Sequence, residues 1–160
     1  MLMGSIIIPH LSEVRISCRN NYLVTGVYTC SCGNKIFHIK TPNNKANDYS
    51  QFLTVFICNQ CGQQHVIFDS IVLGYDAMMG NIPKRQVNYP LLIENHCRKC
   101  TSGLFTSVIT YEYPLTLTDE LEEFGVESFE YWKYFTWIKI NLICNHCNKK
   151  IRNFVSLETG

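Results

Sequence analysis

Short runs of β-branched and aromatic residues recur along this 160-residue chain, separated by polar breaks rich in Asn, Gly and Pro. Such runs favour strands over helices. Val14 to Cys18 and Tyr22 to Thr29 flank Arg19-Asn20-Asn21, a turn sequence, and together predict a hairpin. Lys35 to Lys40 alternates, with Ile36 and His38 on one face and Phe37 and Ile39 on the other. Phe52 to Cys58, His65 to Ser70, Leu91 to Asn95, Leu104 to Tyr113, Lys133 to Cys144 and Ile151 to Leu157 complete the set of expected strands. Two stretches break the pattern. Thr41 to Ser50 carries a proline and three asparagines and reads as a loop. Asp76 to Pro90, with two prolines, a glycine and Lys84-Arg85, reads as a linker. The expected fold is mainly β (small α+β). It consists of an N-terminal hairpin and first unit over 1–76, a linker over 77–90 and a second unit over 91–160.

Eight of the nine cysteines fall in close pairs at the ends of these strands: Cys30/Cys32, Cys58/Cys61, Cys97/Cys100 and Cys144/Cys147. A tight turn between paired thiolates lets both point the same way, and two such pairs complete the four-sulfur tetrahedron that Zn²⁺ prefers. Gly33 follows the first pair and Gly62 the second, where the chain often needs positive φ. Thr101 and Asn148 occupy the matching places after Cys100 and Cys147. Asn tolerates that conformation, whereas Thr predicts strain or a different turn.

The paired turns resemble the zinc-ribbon group, in which two thiolate-bearing β-turns grip one ion and a small antiparallel sheet extends behind. The resemblance covers about 30–74 and 97–160. It implies one Zn²⁺ on Cys30, Cys32, Cys58 and Cys61 and a second on Cys97, Cys100, Cys144 and Cys147, two ions per chain. The C-x-C spacing of Cys30 and Cys32 departs from the usual C-x-x-C. The alternative, disulfides, suits the odd cysteine count poorly. Cys18, the ninth cysteine, is expected as a buried thiol in the first strand. His65, His96 and His146 lie near the pairs but are not needed as ligands.

The two cysteine sets repeat in register. Phe37 lies five positions after Cys32 and Phe105 five after Cys100, while Ile57 and Ile143 precede Cys58 and Cys144. Phe68 and Phe154 each follow seven positions after the last cysteine of their set, Ser70 and Ser156 nine, Gly74 and Gly160 thirteen. This self-similarity predicts an internal duplication. Cys100 and Cys144 are 44 positions apart and Cys32 and Cys58 only 26, so the second unit carries 18 extra residues. Within them a short helix is expected over about 118–130, with Thr118 as N-cap and acids in its first turn. Leu121, Phe124, Ser128 and Phe129 form its expected packing stripe, and Gly125 weakens it.

Composition narrows the function. The chain is 46% hydrophobic with a net charge of +1, which describes a packed domain without the overall basic excess of most nucleic-acid binders. No basic region precedes Ile6-Ile7-Ile8, and no apolar run approaches a membrane span, so a cytoplasmic protein is expected. A catalytic zinc keeps one position open for water beside a general base. Four sulfurs fill each site here and no His-x-Glu accompanies a pair, so the metal reads as structural and the protein as no enzyme. The favoured reading is a protein-interaction module, such as an inhibitor, immunity or adaptor protein. It would meet a basic partner through its β face and the acids of the insertion, Asp119, Glu120, Glu122, Glu123, Glu127 and Glu130. The alternative is nucleic-acid binding through Arg98, Lys99, Lys149, Lys150 and Arg152, with Tyr131, Trp132, Tyr134 and Trp137 to stack on bases. The acids in the same unit oppose phosphate and disfavour it.

Overall fold

The computed structural model describes residues 6–43, 52–81 and 91–160. Most of the polar loop expected over 41–50, and residues 82–90 of the expected linker, lie outside the described residues. The strands are β1 (Leu11–Cys18), β2 (Asn21–Tyr28), β3 (Phe37–Pro42), β4 (Leu53–Cys58), β5 (Gln64–Asp69), β6 (Leu92–Glu94), β7 (Phe105–Pro114), β8 (Trp137–Cys144) and β9 (Lys150–Glu158). Two short helices, α1 (Tyr75–Met78) and α2 (Leu117–Glu123), and a 3₁₀ turn over Ser128–Lys133 complete the described elements. The fold is mainly β, as the strand-forming runs predict.

All nine strands join one antiparallel sheet with β7 as its hub. One edge of β7 pairs with β8 from Phe105↔Cys144 to Glu112↔Trp137, and β9 follows β8. The other edge pairs with β2 over Val108–Pro114, and beyond the end of β2 it meets β3 at Phe37↔Phe105. From β3 the sheet continues through β4 to β5, while β6 pairs further along the same edge of β3 that meets β7. The N-terminal hairpin therefore adjoins the first cysteine set in the chain but hydrogen-bonds to β7, the strand that runs between Cys100 and Cys144 of the second.

Strand periodicity sets what is buried. In β7 every second residue (Phe105, Ser107, Ile109, Tyr111, Tyr113) is buried, as the two-residue period requires. All of these but Ser107 join Phe37, Ile39, Phe56, Phe68, Ile138 and Ile140 in one hydrophobic core. The β3/β7 junction pairs equivalent positions. Phe37 and Phe105 each lie five residues after a cysteine pair and oppose Cys58 and Cys144 respectively in their own modules, and here they oppose each other. Residues 74–75 and 159–160 also pack closely: a Cβ on Gly74 would lie 2.6 Å from that of Thr159, and one on Gly160 would lie 2.9 Å from that of Tyr75. The first part of the expected linker, with Met78 and Met79 packed on the core, is thus docked on the 133–135 and C-terminal segments.

The insertion between β7 and β8 differs in detail from the expected helix over 118–130. α2 begins after Thr116, whose hydroxyl donates to Glu120 Oε1 at 2.6 Å; Thr118 lies inside the helix. Leu117 and Leu121, one turn apart, are the residues it buries. Gly125, at φ 69°, ends the helix in a Schellman turn: Val126 N–H donates to Leu121 C=O and Gly125 N–H to Glu122 C=O. The chain then reverses, and the expected packing stripe fails. Phe124 is 66% exposed and Phe129 72%. Cys18 also departs from its expected burial, because β1 is an edge strand with both faces largely in solvent.

Candidate metal centres

Four turns bring the eight paired cysteines into two clusters. In three of them the first cysteine's N–H donates to the C=O five residues on (Cys58 to Gln63, Cys97 to Ser102, Cys144 to Lys149). Its C=O in turn accepts from the N–H four residues on, at Gly62, Thr101 and Asn148. The Cys30 turn runs one residue shorter, closing on Asn34 and Gly33, because only one residue separates its cysteines. Each turn ends in the left-handed region, at Gly33 (φ 87°), Gly62 (74°), Thr101 (62°) and Asn148 (57°). Thr101 thus keeps the common turn instead of adopting another; its hydroxyl donates to the Cys100 carbonyl at 2.7 Å. The turns are tied into the sheet alike: Asn59 N–H donates to Ile36 C=O and Asn145 N–H to Leu104 C=O.

The sulfurs of Cys30, Cys32, Cys58 and Cys61 all lie within 4.8 Å of one another, as do those of Cys97, Cys100, Cys144 and Cys147. The closest approaches are 3.5 Å (Cys30–Cys61), 3.6 Å (Cys32–Cys58), 3.6 Å (Cys97–Cys147) and 3.4 Å (Cys100–Cys144). A tetrahedral ion with metal–sulfur bonds of about 2.3 Å sets its sulfurs about 3.8 Å apart. A disulfide sets them about 2.05 Å apart, so no pair here is bonded. Each cluster can hold one metal ion, two per chain. The four-thiolate donor set is that of Zn²⁺ in closed sites, where the ion staples the fold and has no open position for water.

The surroundings prepare the thiolates. Burial opposes ionisation of Cys58, but backbone N–H groups of Cys61 and Gln60 and the Asn34 amide (3.3 Å) donate to its sulfur and carry it down to about 6. The Lys99 N–H, working against burial and helped by that of Cys100, lowers Cys97 to about 6. Amides of Gln63 and Ser102 act in the same direction on Cys61 and Cys100, yet the neighbouring cysteines and burial outweigh them and raise both to about 12. A divalent ion removes this conflict by supplying the positive charge that four thiolates need.

One partner was not legible in the chain. His65, four positions after Cys61, is buried and its Nε2 lies 3.4 Å from Cys30 Sγ, while its Nδ1 lies 3.1 Å from the Tyr28 hydroxyl. A thiolate only accepts, so Nε2 carries the proton and Nδ1 accepts from Tyr28. Burial, then the nearby His10, lowers the His65 pKa and keeps the ring neutral as this requires. Burial raises the Tyr28 phenol, keeping it a donor. Outer donors of this kind orient metal ligands. The position equivalent to His65 in the second cluster is Ile151, and His96 and His146 do not join the sulfurs.

The remaining candidate residues separate. Asp119, Glu122, Glu123 and Glu127 are exposed, Glu130 pairs with Lys133 at 2.7 Å, and Glu120 accepts from Thr116 and Tyr75. Of the basic residues, Arg98, Lys149 and Lys150 line one cleft, whereas Lys99 and Arg152 are exposed outside it. Tyr131 and Tyr134 are buried in the core and cannot stack on a base; Trp132 is half-buried and Trp137 lies at the opposite end of β8 from Cys144. Among the described residues no helix is long and apolar enough to cross a membrane. The fold and sites define a small mainly-β protein with two tetrathiolate centres. Comparison with protein-family models, curated proteins and solved structures returned no match.

Proposed function

We propose that this chain is a non-catalytic, zinc-stapled interaction protein of the zinc-ribbon kind, built by duplication, which docks a basic partner protein through the insertion between β7 and β8. The role would be that of an inhibitor, immunity or adaptor protein acting in the cytoplasm. The observation that carries this reading is the exposure of Phe124 and Phe129 beside carboxylates that find no partner among the described residues. Asp119, Glu122, Glu123 and Glu127 form no side-chain hydrogen bond or ion pair with another described residue. Two phenylalanines in water cost free energy that burial on a partner recovers, at roughly 25 cal/mol per Å² of apolar surface. The surrounding negative charge selects a basic surface and speeds its approach.

The closed thiolate sites support a structural role, since all four positions around each ion go to sulfur. The repeated turn geometry, the shared Phe–Cys register and the pairing of Phe37 with Phe105 support the duplication. The test is association with the partner recovered from the native cell, measured for the variant Glu122→Gln/Glu123→Gln/Glu127→Gln. Zinc content and melting should be unchanged. Association at low salt should slow about tenfold, a difference that shrinks with ionic strength as exposed charges are screened over about 8–10 Å. Unaltered kinetics at low salt would refute the proposal.

A further inference from the structure

A cleft of about 370 Å³ lies beside the second metal centre. It is lined by Arg98 from the Cys97–Cys100 turn, Lys149 from the turn after Cys147 and Lys150 at the start of β9, with His96 alongside. Its apolar wall includes Ile151 and Phe154 of β9. We infer that this cleft is a binding site for a nucleotide unit, a flat base on the apolar wall and its phosphate among Arg98, Lys149 and Lys150. The volume falls in the range of small-ligand sites, roughly 300–1,000 Å³, and a few cationic groups over apolar walls is the usual composition of such sites. Base stacking on an aromatic and charge pairing with phosphate are the two interactions that hold single strands and nucleotides.

A simpler account of the basic residues is that they offset the charge of the metal centre, where four thiolates and one divalent ion leave two negative charges. The chain contains its own control. The first centre has the same four thiolates, yet Gln63 and Gln64 stand where the second has Lys149 and Lys150, and Ser31 is the residue between Cys30 and Cys32. A tetrathiolate site in this fold therefore needs no cations in its turns. Those at the second centre serve something else.

The acidic insertion does not oppose phosphate here, although it belongs to the same half of the chain. It leaves from the Pro114 end of β7, and the cleft lies at the Phe105 end. Ten residues of strand separate them, roughly 30 Å at 3.3–3.4 Å per residue. That is nearly four Debye lengths of about 8 Å at physiological salt. Glu94, next to Asn95 of the cleft, is occupied by His38 at 2.6 Å. The His96 Nδ1 donates to the Thr101 carbonyl at 3.2 Å, fixing that side chain at the rim.

The experiment uses the zinc-loaded full chain and two probes, a short fluorescein-labelled oligouridylate followed by anisotropy and free AMP as competitor. Three phosphate-facing cations predict a slope of log K against log salt near −2, so oligouridylate affinity should fall about twentyfold between 50 and 200 mM salt. Arg98→Gln/Lys149→Gln/Lys150→Gln should weaken binding at least tenfold and flatten the slope while keeping two zinc equivalents. Arg15→Gln/Lys40→Gln/Lys139→Gln, which removes equal charge elsewhere, should leave binding within about twofold. Competition by AMP supports a site for the single nucleotide, free or in a strand; binding of oligouridylate without AMP competition supports the strand as the source. If neither probe binds at 50 mM salt, or if the control variant loses as much as the cleft variant, the inference is overturned.

Discussion

Replacing His65 by Leu separates the two metal centres by one atom of chemistry. The side chain is buried with Nε2 at 3.4 Å from Cys30 Sγ and Nδ1 at 3.1 Å from the Tyr28 hydroxyl. Leucine is of similar bulk, so the packing against Tyr28 and Phe37 largely survives while both polar contacts go. The bond to the thiolate is charge-assisted, a class that contributes about 1.5–3 kcal/mol. Loss of such an outer partner lowers metal affinity about 10–100-fold, which corresponds to about 1.4–2.7 kcal/mol. The two ranges agree. The Tyr28 hydroxyl, left unpaired in the core, adds about 1–3 kcal/mol of lost stability that has nothing to do with the metal. Tyr28→Phe/His65→Leu should therefore regain stability over the single variant without regaining metal affinity. Cobalt-substituted protein titrated against a competing chelator reads the centres one at a time by their thiolate-to-metal absorption. One equivalent should leave His65→Leu at a chelator concentration 10–100-fold lower than in the parent, and the second should leave as before. Equal weakening of both equivalents, or a change under threefold at the first, would refute the second-sphere role of His65.

Elemental analysis of the purified chain should return about two zinc ions. Cys144→Ser should lose one and unfold, because binding free energy at a structural zinc, about 10–16 kcal/mol in small domains, is folding free energy. Cys18→Ser should keep both ions, since this thiol is exposed and remote from either cluster. Gly62→Ala meets open space, so its cost is the left-handed backbone alone (φ 74°), about 1–2 kcal/mol by chemical denaturation. Gly74→Ala adds a 2.6 Å clash with Thr159 to a backbone (φ 95°, ψ 162°) that is essentially restricted to glycine, and should cost about 2–4 kcal/mol, partly relieved by Thr159→Ala. No relief from Thr159→Ala would contradict the docking of residue 74 on the C-terminal segment.

What the chain determines by itself is local. Turn hydrogen bonds span four or five residues, so the spacing of each cysteine pair and the residue after it dictate a metal-binding turn; even the one-residue shortening at Gly33 follows from C-x-C. The strands follow from the same short range, because alternation encodes which face of a strand is apolar. Alternation does not say which strand lies alongside. Only the assembled sheet decides that β2 pairs with β7, and that Phe37 meets Phe105. Phe124 and Phe129 are exposed for a local reason, the turn at Gly125 that ends the helix. Three other departures come from the assembled sheet. Cys18 is exposed because β1 became an edge. His65 reaches a thiolate because β2 delivers Tyr28 to its other nitrogen. The acids of the insertion stand apart from Arg98, Lys149 and Lys150 because β7 and β8 hold the two groups at opposite ends. Residues distant in sequence meet, or are kept apart, through long-range strand pairing, and no short window of the chain contains that information.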